Sequence, residues 1–231
     1  MKTRSVQRLQ APAKGTKTPS GTLNEEAYRQ IEEMIVTLEL RPGSVVSEAM
    51  LSDLIGIGHT PIREALQRLS REHLVQILPR RGVVVTAIDV GQQLQILETR
   101  RELDRLIARS GAARSTPVER QEMARIALRM QDAVAAGDLR TFLQFDNAMN
   151  LHAARACRND IASGAVAALH AASRRFWYHH HHRHGQAART MDLHVALAQA
   201  LASGEPERAA EASDRLIDDL IEFARATLIT T

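Results

Sequence analysis

Two groups of residues in this 231-residue chain have types and spacings suited to chemistry. The first lies within residues 47–86, where Thr60, Arg63, Gln67 and Arg68 recur at helical intervals and Arg80, Arg81 and Gly82 follow a short apolar run. A guanidinium offers a planar fork for phosphates, carboxylates and guanine edges, so such a row suits nucleic acid. The second group is Arg100, Asp146, Asn150 and His194, each set among apolar residues at helical spacing. A charge is costly to bury unpaired, so the convergence of these four in one interior would make a ligand pocket. A third run, WYHHHHRH at 177–184, lies well inside the chain. Adjacent histidines cannot all face one ion on a regular helix, so the run reads as a solvated helix end that binds metal only opportunistically; a pH- or metal-sensing role is the minority alternative.

The elements that must position these residues follow from periodicity. Ala27, Ile31, Ile35 and Leu38 mark a first amphipathic helix, with Asn24 as its expected cap, and Pro42-Gly43 stops it. Ser47 caps a second helix with Met50, Leu51 and Leu54 inward, and Gly56 ends it. After a tight turn holding Ile57, Thr60 is expected to cap a third helix with Pro61 at its first position. There Ile62, Ala65, Leu66 and Leu69 are buried, and Thr60, Arg63, Glu64, Gln67 and Arg68 face outward. VQIL and VVVT, joined by PRRG, predict a hairpin with two arginines and a glycine at its tip. The outline is a winged helix-turn-helix, which lays one helix in a DNA major groove and a ribbon along the backbone. The Arg80-Arg81 pair, taken by itself, also fits a solvated turn.

Beyond a junction at 87–91 the chain reads as helical to its end, with six or seven helices. Ile96, Leu103 and Ile107 form one stripe with Arg100 in its row. Phe142, Phe145 and Met149 form another beside Asp146 and Asn150, and Met191, Val195, Ala198 and Leu201 a third containing His194. The expected fold is mostly α, a winged helix-turn-helix followed by an all-helical bundle. The expected domains are a disordered basic tail at 1–22, a DNA-binding domain at 23–88 and an effector-binding, dimerising bundle at 90–228.

Composition agrees with that division. Aromatics are 3% against 44% hydrophobic residues, so the cores rest on Leu, Ile, Val and Ala. The net charge is only +3, but all lysines lie in the first twenty residues, and the remaining cations are arginines, a bias that codon usage also explains. The single cysteine, Cys157, excludes an internal disulfide framework and a CxxC zinc site. No apolar run approaches the roughly 20 residues that span a bilayer, so a soluble, cytoplasmic protein without a membrane partner is expected.

The stretch PGSVVSEAMLSDLIGIGHTPIREALQRLSREHLVQILPRRGVVV resembles the DNA-binding domain of the GntR family of bacterial transcription regulators. The resemblance implies operator contacts from Thr60, Arg63 and Gly82. Ala49, Gly58 and His59 stand where that family usually has arginine, serine and arginine, so operator contacts there are weakened or replaced, with His59 at the reading end. His73 stands where a helix-ending glycine is usual.

From residue 90 onward, ILETRRELD, FDNAMNLH and LHVALAQALASGEPERAAEA resemble the ligand-sensing domain of the FadR-type branch, called FCD. Metal-binding members hold a divalent ion with one Asp and three His. Carried over, the acid is Asp146 and one histidine is His194, but the other positions are Asn150 and Leu216, neither of which replaces imidazole for zinc or nickel. His152 is two residues off. The resemblance therefore implies either an incomplete divalent-metal site or a pocket in which Arg100, Asp146, Asn150 and His194 bind a small organic effector directly. Arg100 favours an acidic effector, unless Asp146 is its permanent partner. The expected function is a homodimeric, ligand-responsive repressor on a double-stranded operator, not an enzyme. Two rivals are a constitutive DNA binder with a vestigial bundle and a metal-dependent enzyme in the bundle.

Overall fold

The computed structural model describes residues 22–79, 81–181 and 187–228. The basic tail expected at 1–22 lies, up to residue 21, outside the described residues, as do Arg80 and positions 182–184 of the histidine run.

The head begins with α1 (Leu23–Val36), β1 (Val45–Val46), α2 (Glu48–Ile55) and α3 (His59–Arg71), and closes with β2 (Val75–Leu78) and β3 (Gly82–Val85). Thr22, not Asn24, caps α1: its hydroxyl accepts from the Glu25 N–H at 3.3 Å, and the Glu25 carboxylate accepts from the Thr22 N–H at 3.1 Å. Asn24 instead donates to Glu64 on α3 at 2.7 Å, tying the two helices together. Ser47 caps α2 as expected, and Gly56 ends it in the left-handed region at φ 71°. The third helix starts two residues earlier than its sequence suggests, with Gly58 as the cap and His59 as the first residue. Thr60 thus lies inside the first turn and Pro61 is third in the helix. Proline is tolerated there because the first N–H groups of a helix have no intrahelical acceptor.

The strands form one antiparallel sheet in the order β1-β3-β2, with Val46 opposite Val83 and Leu78 opposite Gly82. Ala27, Ile31, Ile35, Leu51, Ile62, Leu66, Leu69 and Leu74 fill the core between helices and sheet. Leu51 is buried as expected, but Met50, also expected inward, is exposed.

Six further helices are described: α4 (Val90–Arg114), α5 (Pro117–Ala136), α6 (Leu139–Ala156), α7 (Asp160–His180), α8 (Ala187–Ser203) and α9 (Pro206–Leu228). The buried stripe of α4 runs through Gln93, Leu97, Arg100, Ile107, Ala108 and Gly111, with Ile96 to one side of it. Phe142, Met149, Trp177, Ala198, Leu216 and Phe223 belong to a second, larger core. Cys157 is buried within it. The aromatic start of the histidine run is therefore not a solvated end: Trp177 is buried in the last turns of α7, and His179, His180 and His181 are half-buried.

Head and bundle meet along α7. Ala171 packs into the core of the head, while Val36 of α1 packs into that of the bundle. Arg175 donates to the Thr86 carbonyl and hydroxyl, both at 3.1 Å, and to the Ala87 carbonyl at 3.3 Å, so it holds the junction between the two halves. Burial lowers its guanidinium to about 10.

Candidate functional site

On α3 the residues His59, Thr60, Arg63 and Gln67 are exposed along one side of the helix, opposite Ile62, Ala65, Leu66 and Leu69. Arg63 is not free-swinging. Its Nε and Nη2 donate to the two Glu48 carboxylate oxygens at 2.9 and 2.8 Å, a bidentate pair that fixes the fork at the edge of α2. Arg68 is exposed as well, but its head group is engaged. Its guanidinium lies 3.6 Å from the centroid of the Tyr28 ring and donates to Glu72 at 3.0 Å, so it is a brace between α3 and α1. The Tyr28 hydroxyl donates to the same carboxylate at 2.8 Å.

At the wing, Arg81 is exposed and Gly82 has φ +93°. A Cβ on Gly82 would sit 3.1 Å from the Val46 carbonyl oxygen, so the residue is needed for sheet geometry whatever else it touches. His73, where a glycine was expected, takes the same left-handed region at φ 58°. Thr86 steadies that corner by donating to the His73 carbonyl at 2.7 Å.

Inside the bundle, Arg100, Asp146, Asn150 and His194 do line one narrow cavity that opens to solvent. Helices α4, α6 and α8 supply these four. Helix α7 adds His170, Ser173, Arg174 and Trp177, which the sequence reading left out. Arg100 is paired with Asp104 one turn along α4, not with Asp146, at 2.9 and 2.8 Å. The other Asp104 oxygen is 2.8 Å from His170 Nε2. Burial alone would raise the Asp104 carboxyl, but the Arg100 charge and the hydrogen bonds from Arg100 and His170 outweigh it and hold it down to about 2. Burial likewise lowers His170 below its ordinary range, against the pull of Asp104, so the ring is neutral near pH 7. Facing a carboxylate, its Nε2 must carry the proton and donate it.

Asp146 and His194 sit together on the other wall. His194 Nδ1 lies 2.8 Å from the Thr190 carbonyl, to which it can only donate, and its Nε2 faces Asp146 at 3.5 Å. The Asn150 amide nitrogen donates to the same Asp146 oxygen at 3.2 Å. Phe142 stands edge-on to the His194 ring. Turning a backbone-anchored imidazole toward a carboxylate is how two metal ligands are oriented, but the set stops at two. Asn150 presents N–H to Asp146, Leu216 has no donor atom, and His152 is engaged elsewhere, with Nε2 2.9 Å from the Glu119 carbonyl. Among the described residues no group of three His, Cys, Asp or Glu could hold a metal. The residues present do not fit a resident zinc or nickel ion.

A model for the FCD domain matches residues 95–219, more than half of the chain, and one for bacterial regulatory proteins of the gntR family matches residues 23–85. The chain belongs to the GntR family and carries an FCD domain. Its GntR relatives include an HTH-type transcriptional regulator from an unstable DNA locus of Streptomyces ambofaciens, 39% identical over 31% of this chain and 30% of that one. The transcriptional repressor RspR of Escherichia coli K12 is 27% identical over 58% of each. The chain thus spans between three and six tenths of the length of these curated relatives. Among solved structures, Escherichia coli McbR/YncC superposes with a TM-score of 0.76 at 17% identity, over 90% of this chain and 100% of that one. A GntR protein of Rhodococcus sp. RHA1 gives 0.59 at 18% identity, over 90% and 98%. Both likenesses concern the GntR fold.

Proposed function

We propose that this chain is a ligand-responsive transcription regulator that binds a double-stranded operator through α3 and the wing and binds a small organic effector in the α4–α6–α7–α8 cavity. The observation that carries this reading is the pairing of a GntR head with a buried polar cavity whose wall, α7, is also the surface on which the head rests. His59, Thr60, Arg63, Gln67, Arg81 and Gly82 are the proposed operator residues, with Arg80 at the tip. Arg68 serves as a brace behind them. The units are 23–88 for DNA and 90–228 for effector and dimerisation, and two copies read a pseudo-palindromic operator in the cytoplasm. Release of a repressor by its effector follows the family pattern.

The bundle is read as a binding and not a turnover site. The cavity holds no activated nucleophile pair, and its Asp146–His194 pair lacks the third ligand a catalytic metal needs. A gel-shift titration with full-length protein tests the reading. Arg63→Ala is expected to weaken operator binding by at least about tenfold, the loss of one good charged contact. Trp177→Phe, which removes the indole N–H from the cavity, should spare operator binding and reduce the rise in melting point that an effector causes. Operator binding equal in wild type and Arg63→Ala would refute the assignment of α3.

A further inference from the structure

The cavity and the head share one side chain. Arg174 lines the cavity and, through Nη2, bonds to Glu32 on the buried side of α1; both side chains are at least nine-tenths buried. No other hydrogen bond of Arg174 is formed among the described residues, which leaves the rest of the fork for a second acceptor. Three residues along, Trp177 also lines the cavity. It is 95% buried, and its indole N–H finds no acceptor among the described residues. A buried donor without a partner is costly, and an unpartnered indole N–H one turn from a guanidinium calls for an oxygen-bearing anion. Arg100, by contrast, is already matched by Asp104.

We propose that the effector is a small carboxylate whose oxygens bond to Trp177 Nε1 and Arg174, drawing Arg174 off Glu32 and so unlatching the head from α7. This rests on the cavity being the effector site, as set out above. The coupling has a simple physical origin. Glu32 is buried against α7, and a buried carboxylate that loses its cation is strongly destabilised until it reaches water. Burial already pushes the Glu32 carboxyl up from its ordinary range against the opposing pull of Arg174. A ligand that turns the Arg174 fork toward Trp177 therefore binds best as α1 lifts away. The other polar contacts of α1 with the bundle, Arg140 and Gln144 to Glu33, lie at the surface and are weak, which leaves the packing of Val36 as the other hold. By reciprocity, any state that keeps the head docked must bind the carboxylate less well by the same factor.

Trp177 is the one tryptophan of the chain, so its fluorescence reports directly on the cavity. Full-length protein is titrated with acetate, succinate and benzoate, each beside its neutral amide, and amide hydrogen exchange of α1 is measured with and without the binding carboxylate. At least one carboxylate is expected to shift Trp177 emission saturably while its amide does not, and to speed α1 exchange. In Glu32→Gln the same carboxylate should bind about tenfold tighter, a typical coupling factor, with α1 exchange already fast in its absence; in Arg174→Gln it should bind about tenfold more weakly. A flat Trp177 signal with all three carboxylates, or an equal response to the amides, overturns the ligand class and the cavity reading with it. A Trp177 response accompanied by unchanged α1 exchange in the wild type and unchanged affinity in Glu32→Gln overturns the latch and leaves the effector site standing.

Discussion

Asp104 shows how a single buried carboxylate organises one wall of the cavity. It accepts from Arg100 with one oxygen and from neutral His170 with the other, and its depressed carboxyl makes that arrangement pH-sensitive in one direction. A carboxyl whose folded value lies below its unfolded value adds stability that is complete above the unfolded value, near 3.9, and is lost as pH falls through the folded one. The bundle is therefore expected to lose roughly 2 kcal/mol from this residue between about pH 4 and pH 2. Asp104→Asn should be less stable at neutral pH and show a shallower decline across that window, as followed by urea denaturation at stepped pH. Individual side chains were also where sequence reading was least reliable. Arg100, Asp146, Asn150 and His194 were legible because each interrupts an apolar stripe. Their partners were not, because pairing depends on which helices face each other: Arg100 met Asp104 on its own helix, and Arg68 turned back onto Tyr28.

Among the elements, the wing and α7 each combine two tasks. The wing turns on Gly82, whose positive φ and close approach to the Val46 carbonyl strain any side chain placed there. Gly82→Ala is expected to cost about 1–2 kcal/mol of thermal stability from backbone strain, measurable by calorimetry, and to displace Arg81. The hairpin, the three helices of the head and the left-handed end of α2 were all readable from β-branched runs, turn residues and caps. The first residue of α3 was not, because Gly58 and Thr60 are both acceptable caps and only backbone geometry decides between them. Helix α7 was the larger omission. Its inner face mixes Val166, His170, Ser173, Phe176 and Trp177, so no clean apolar period announces it, and the adjacent histidines drew the eye to a solvated end. A signal was present in Glu32, an acid within the run of Ala27, Ile31 and Ile35 that a buried cation had to meet.

For the whole molecule, the consequence is that the surface holding the head in place is the back of the cavity wall. Ala171 and Arg175 face the head and its junction, while His170, Arg174 and Trp177 face the cavity, all from one helix. A ligand that prefers one placement of that wall biases the placement of the head; a ligand indifferent to placement would shift nothing. Periodicity alone outlined this plan of a reading head on a helical sensor, and the resemblance to a family supplied its expected use. The contact between the halves was invisible in the sequence because it joins residues about 140 positions apart through packing that no local pattern encodes. The central claim is sequence-specific DNA recognition by α3 and the wing, and selection from a pool of random DNA duplexes by the full-length protein tests it most directly. The account predicts enrichment of one pseudo-palindromic sequence by the wild type and its loss in Arg63→Ala; retention of the pool without enrichment, or the same enrichment by both proteins, would contradict it.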